Sequence, residues 1–133
     1  MPISSRDDYL LRMIRELGAV VARMLGQKGG GQLHEAMQTL DDGEGELLGP
    51  LATVVPRVDS ATAAHIIGDP QKIAAWARLL HERADLLRLT GDEAGAAFAA
   101  TRAAELAREA IARGEASKSA IEEILGPAAP STD

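Results

Sequence analysis

Cysteine is absent from this 133-residue chain, aromatic residues number three (Tyr9, Trp76 and Phe98), and apolar runs are short. Without thiols there can be no disulfide, no thiol nucleophile and no cysteine-based zinc or iron–sulfur site. No run approaches the ~18 apolar residues that a bilayer crossing takes. The opening Met-Pro-Ile-Ser-Ser-Arg-Asp-Asp carries acids where a secretory signal would be basic. A cytoplasmic protein is the expectation.

What is abundant is alanine. The chain is 46% apolar, which fits one compact domain, but 25 of its residues are alanine, so few large side chains are left to build a core. Each large side chain contributes ~1.5–3 kcal/mol when fully buried, against ~1.5 kcal/mol of conformational entropy per ordered residue. Such a chain has little surplus stability, and a partner surface would help it.

The net charge of −6 is unevenly spread: residues 1–28 carry +2, residues 29–60 carry −5 and residues 61–133 carry −3. A phosphate backbone calls for a clustered basic face, which only the first segment could offer, and weakly. Nucleic acid is therefore not an expected partner.

The pattern along the chain is helical throughout. Over residues 7–25 apolar side chains fall at Leu10, Met13, Leu17, Val20 and Met24, alternately three and four apart, with Ile14, Val21 and Leu25 widening the stripe. Ser5 or Asp7 can cap this helix, and Gly29-Gly30-Gly31 reads as a flexible joint after it. Residues 32–40 form a short amphipathic turn. Asp41-Asp42-Gly43-Glu44-Gly45 then has the composition of a solvated loop. Pro50 and Pro56 break residues 47–58 into short helical turns, and Ser60 can cap a helix over 61–67 that Gly68 stops.

Asp69-Pro70 is a helix start, because the carboxylate accepts from free backbone amides and proline is tolerated at the first helical position. That helix runs to about residue 90, Gly91-Asp92 turns the chain, and a second long helix covers 93–113 before Gly114. Ser117 or Ser119 can cap a last short helix ending at Leu125, and residues 126–133 read as a disordered tail.

The pair of long helices resembles a tetratricopeptide hairpin. With Gly91 at the turn, Ala84, Leu87, Ala96 and Ala103 fall at positions of the expected size, while Arg83 stands where leucine is usual and Ala100 where a large aromatic is usual. No second copy appears at the 34-residue period. The opening Asp8-Tyr9-Leu10-Leu11-Arg12-Met13-Ile14-Arg15-Glu16-Leu17-Gly18, the glycine break, the proline-interrupted middle and the terminal hairpin together resemble a family of short, uncharacterised bacterial helical proteins. That resemblance implies an intracellular bacterial setting and transfers no catalytic residue.

The expected architecture is thus all-α: an amphipathic helix over 1–28, a glycine joint at 29–31, short helices and loops over 32–68, and a tetratricopeptide-like antiparallel helical hairpin with a short terminal helix over 69–125. No enzyme chemistry is expected. His34, His65 and His81 sit on separate elements without a second ligand at helical spacing, so no metal site is expected. Asp41-Asp42 and Glu122-Glu123 read as solvated charge, and the glycine run lacks the preceding strand and following Lys-Ser/Thr of a phosphate loop. No cofactor is expected either.

The feature that stands out is the first helix. Leu10, Met13, Ile14, Leu17, Val20, Val21 and Met24 form a stripe too wide to leave in water. It has three possible destinations: the chain's own core, a sister copy or other protein, or a lipid surface. The expectation is a non-enzymatic interaction module that self-associates through this stripe, most simply as a dimer or within a larger complex, acting as scaffold or accessory subunit. A peripheral membrane-surface protein anchored by the same helix is the alternative.

Overall fold

The computed structural model describes residues 5–114, with side chains from Asp8 onward. Among them are five α-helices and two short 3₁₀ helices, and no strand. In chain order they are α1 (Ser5–Gly29), α2 (Leu33–Leu48), the 3₁₀ turns Gly49–Thr53 and Val55–Arg57, α3 (Ser60–Ile67), α4 (Pro70–Leu89) and α5 (Glu93–Arg113). The caps expected at Ser5 or Asp7, the short helix ending at Leu125 and the tail 126–133 lie outside the described side chains.

Two helical hairpins, α1–α2 and α4–α5, are joined by the same device. After α1, the Gln32 amide donates to the Gln27 carbonyl at 2.8 Å and the Gly31 amide to Lys28 at 3.1 Å. After α4, the Asp92 amide donates to Leu87 at 2.9 Å and the Gly91 amide to Arg88 at 3.1 Å. Both are Schellman caps, and both put glycine in the left-handed region, Gly31 at φ 78° and Gly91 at φ 90°. The glycine joint expected to be flexible is therefore a closed, hydrogen-bonded turn.

A second correction concerns α2, which continues through Asp41-Asp42-Gly43-Glu44-Gly45 where a loop is expected. Tertiary contact overrides the turn-like composition there. Gly43 is buried against α1, so close that an added Cβ would lie 2.9 Å from Val20 Cγ1. Asp41 and Glu44, one turn apart, both accept from Arg83 Nη2 of α4, at 2.7 and 3.3 Å. This also accounts for an arginine at a hairpin position where leucine is usual: its partners are on α2. A similar adjustment occurs at α3. Asp59 is the cap, accepting from the Thr62 amide at 2.7 Å, which frees the Ser60 hydroxyl to donate to Glu105 of α5 at 2.8 Å.

The long helices start as expected. Asp69 accepts from the Gln71 and Lys72 amides, Pro70 opens α4, and Asp92 caps α5 through the Gly95 amide at 2.9 Å. The α4 helix is central, packing most extensively on α5, then on α2, and along its edges on α1 and α3. The core gathers Ile14, Leu17, Val21 and Met24 of α1 with Leu40 and Leu47 of α2, and with Ile73, Trp76, Leu79 and Leu86 of α4. The contribution of α5 is Leu106 among small alanines. The large side chains of the core come mainly from α1, α2 and α4, and α5 packs on α4 and α3.

Candidate interaction surface

The stripe of α1 is spent inside the chain. Leu10, Met13, Ile14, Leu17, Val21 and Met24 are buried, and Val20 is half-buried against Gly43. Their side chains fill the space between α1 and α2 and meet α4 below. In this fold the seam offers no free apolar face to a sister copy or to lipid, and of the three destinations the core is the one occupied. No helix among the described residues is long and apolar enough to cross a membrane.

The exposed large apolar side chains are scattered, with Tyr9 and Leu25 on α1, Val54 between the 3₁₀ turns, Ile66 on α3, Leu89 on α4 and Phe98 on α5. Phe98 of α5 is 66% exposed, the most of any large apolar side chain among the described residues. The buried face of α5 repeats as Ala96, Ala99, Ala103, Leu106 and Ala110, alternately three and four residues apart. Phe98 is out of phase with that repeat. The three-four alternation of the buried alanines turns Phe98 outward.

Phe98 stands on the rim of a cavity of about 750 Å³ between α5 and the start of α3. The α3 wall is Asp59, Ser60 and Ala61; the α5 wall includes Thr101, Arg102, Glu105 and Arg108 and extends to Ala112. Its floor is unusual for a surface groove, because Arg102 is only 8% exposed. One guanidinium nitrogen donates to the Val55 carbonyl at 2.6 Å, and the guanidinium carbon lies 5.1 Å from the centroid of the Trp76 ring. Burial lowers the Arg102 pKa from its ordinary value, and the carboxylates of Glu105, Asp59 and Glu44 oppose that shift by favouring the charged form. The guanidinium stays a cation, held by a cation–π contact and a carbonyl. Arg102 Nε and the Trp76 indole nitrogen are buried without a hydrogen-bond partner.

Asp59 at the groove's edge has its pKa lowered, first by the Thr62 backbone amide and then by the Thr62 hydroxyl, with Arg102 adding to the shift. Glu105 is tied to Ser60, and Glu109, further along the same wall, pairs with Arg113. The groove thus combines an exposed aromatic, a buried arginine and fixed carboxylates. Neither Arg102 nor Glu105 carries a sequence signal for this role; both read as ordinary charges on an alanine-rich helix.

The remaining candidates are dispersed. His34 and His65 are exposed, His81 is half-buried, and the three sit on α2, α3 and α4. Among the described residues no group of three or more His, Asp or Glu side chains is placed to hold a metal ion. Compared with protein-family models, with curated proteins and with solved structures, the chain matches none.

Proposed function

We propose that the protein is a non-enzymatic interaction module that self-associates, acting as a scaffold or accessory subunit. Its contact face is the α3–α5 groove and not the α1 stripe. The observation that carries this reading is Phe98, which leaves 66% of its surface in water at the rim of a groove floored by a buried arginine. Aromatic and arginine side chains are the types enriched where proteins meet, and a large aromatic beside a preformed concavity is the usual form of an anchor. Of the three aromatic residues Trp76 is in the core, while Tyr9 and Phe98 are exposed, Phe98 the more so, and leaving a phenylalanine in water is a considerable sacrifice of burial.

The α4–α5 pair serves in this reading as a single tetratricopeptide-like hairpin. Ala84, Ala96 and Ala103 are buried at the small positions, and the hairpin presents the outer face of α5. The likeness of the layout to short bacterial helical proteins, and a cytoplasmic setting, belong to the same proposal.

Light scattering over a concentration series tests the reading. Twice the chain mass of 14.0 kDa is expected at high micromolar concentration. A constant monomer mass across the series would overturn it.

A further inference from the structure

We propose that the occupant of the α3–α5 groove is α5 of a second copy, laid antiparallel about a twofold axis at Glu105, with Phe98 of each chain seated on Ala112 of the other. This inference rests on the self-association proposed above and adds its geometry. Phe98 and Ala112 stand seven residues to either side of Glu105 on the wall of the groove. Rotation about Glu105 therefore sets the largest side chain of that wall against one of the smallest, twice, which is the self-complementarity that a twofold interface requires.

Charge selects the direction. A parallel pairing of the two helices in register would put Phe98 on Phe98, Glu105 on Glu105 and Glu109 on Glu109. The antiparallel pairing faces the two Glu105 carboxylates at the axis and sets each Arg108 at the level of the other chain's inward-turned Arg102, and it brings the exposed Arg108 of each chain within one turn of the other chain's Glu105. Two arginines then flank two carboxylates. Each carboxylate is already held in place by the Ser60 hydroxyl of its own chain at 2.8 Å. Thr101 comes opposite Glu109 of the other copy, where its hydroxyl can donate. Arg102 takes no part in the contact layer, since it is turned inward to the Val55 carbonyl, but its charge lies behind the axis and favours carboxylates there.

The absence of cysteine makes a direct test possible, because any introduced thiol is the only one in its chain. In Glu105→Cys, which retains both Phe98 and Ala112, the two thiols meet at the axis. Mild oxidation should move the protein from the 14.0 kDa band to one of twice that mass on a non-reducing gel. Leu89→Cys, equally a surface thiol but away from the groove, should stay monomeric under the same treatment. A second arm mixes Phe98→Cys with Ala112→Cys. The two positions are about 21 Å apart along one helix at 1.5 Å per residue, far beyond disulfide reach within a chain. A linked species that forms in the mixture, and much less in either variant alone, requires the proposed register. Dimeric mass in solution without linkage at Glu105→Cys or between positions 98 and 112 overturns this pairing and leaves self-association standing. Monomeric mass throughout overturns both.

Discussion

The Arg102 guanidinium lies over the Trp76 indole, 5.1 Å from the ring centroid, and donates to the Val55 carbonyl at 2.6 Å. One side chain thus joins α5, α4 and the second 3₁₀ turn, and it also forms the floor of the groove. Arg102→Ala would uncover the indole face and remove the shorter of the two hydrogen bonds to the Val55 carbonyl, leaving it only the Val58 amide at 3.4 Å, a loss of about 1–3 kcal/mol. Arg102→Lys keeps the charge and loses the flat stacking surface, so it should recover only part of that loss. Trp76 is the one tryptophan in the chain, so its fluorescence during thermal unfolding reports this contact directly. Equal melting temperatures for the parent and Arg102→Ala would show that the contact carries no stability.

Gly43 and Gly45 of α2 should respond to alanine with opposite signs. At Gly43 the new methyl group would lie 2.9 Å from Val20 Cγ1, and Val20, being β-branched, has little rotamer freedom with which to move aside. Overpacking of this kind costs about 1–3 kcal/mol. Nothing stands within 4 Å of a Cβ at Gly45, so alanine there should stabilise the helix by roughly 0.5–1 kcal/mol. Urea midpoints of the two variants provide the comparison, and Val20→Ala should relieve the Gly43→Ala defect.

Leu17 is 2% exposed at the centre of the α1 stripe. If the stripe served only a partner, Leu17→Ala would weaken assembly and leave the monomer's stability unchanged. With the stripe in the chain's own core, the substitution should cost about 2–5 kcal/mol. That loss should be the same at low and high protein concentration, as read from denaturant curves recorded at both.

Asp59 provides a pH signature. Its folded pKa lies below the ordinary carboxylate value of 3.8, so the folded state takes up its proton less readily than the unfolded chain. Its contribution is therefore complete above pH 3.8, declines as the pH falls below that value, and is lost once the folded carboxylate is protonated. Melting temperatures of the parent and Asp59→Ala should differ at neutral pH and converge in acid. A gap that stays constant down to pH 2 would contradict the assignment of Asp59 as the cap of α3.

Periodicity and end signals made α1, α4 and α5 legible in the sequence, because each rule involved is local: a three-four apolar spacing, Asp69-Pro70 as a start, and glycine after the last turn. The second half of α2 was not legible. Its Asp-Asp-Gly-Glu-Gly composition favours a turn, and the helix is chosen by the approach of Val20 and the grip on Arg83, which come from α1 and α4. The α1 stripe could be read residue by residue but its destination could not, since the same pattern serves a core, a dimer or a lipid surface. The groove was hidden for a further reason. Ser60, Arg102 and Glu105 belong to helices whose relative placement only the folded chain specifies.

The account stands most directly on Phe98. Sedimentation velocity at high micromolar concentration should give a dimer for the parent protein and for Leu89→Asp, and a monomer for Phe98→Asp, with helical circular dichroism unchanged in all three because both substituted side chains are exposed. A Phe98→Asp variant as dimeric as the parent, or a parent that sediments as a monomer, would contradict it.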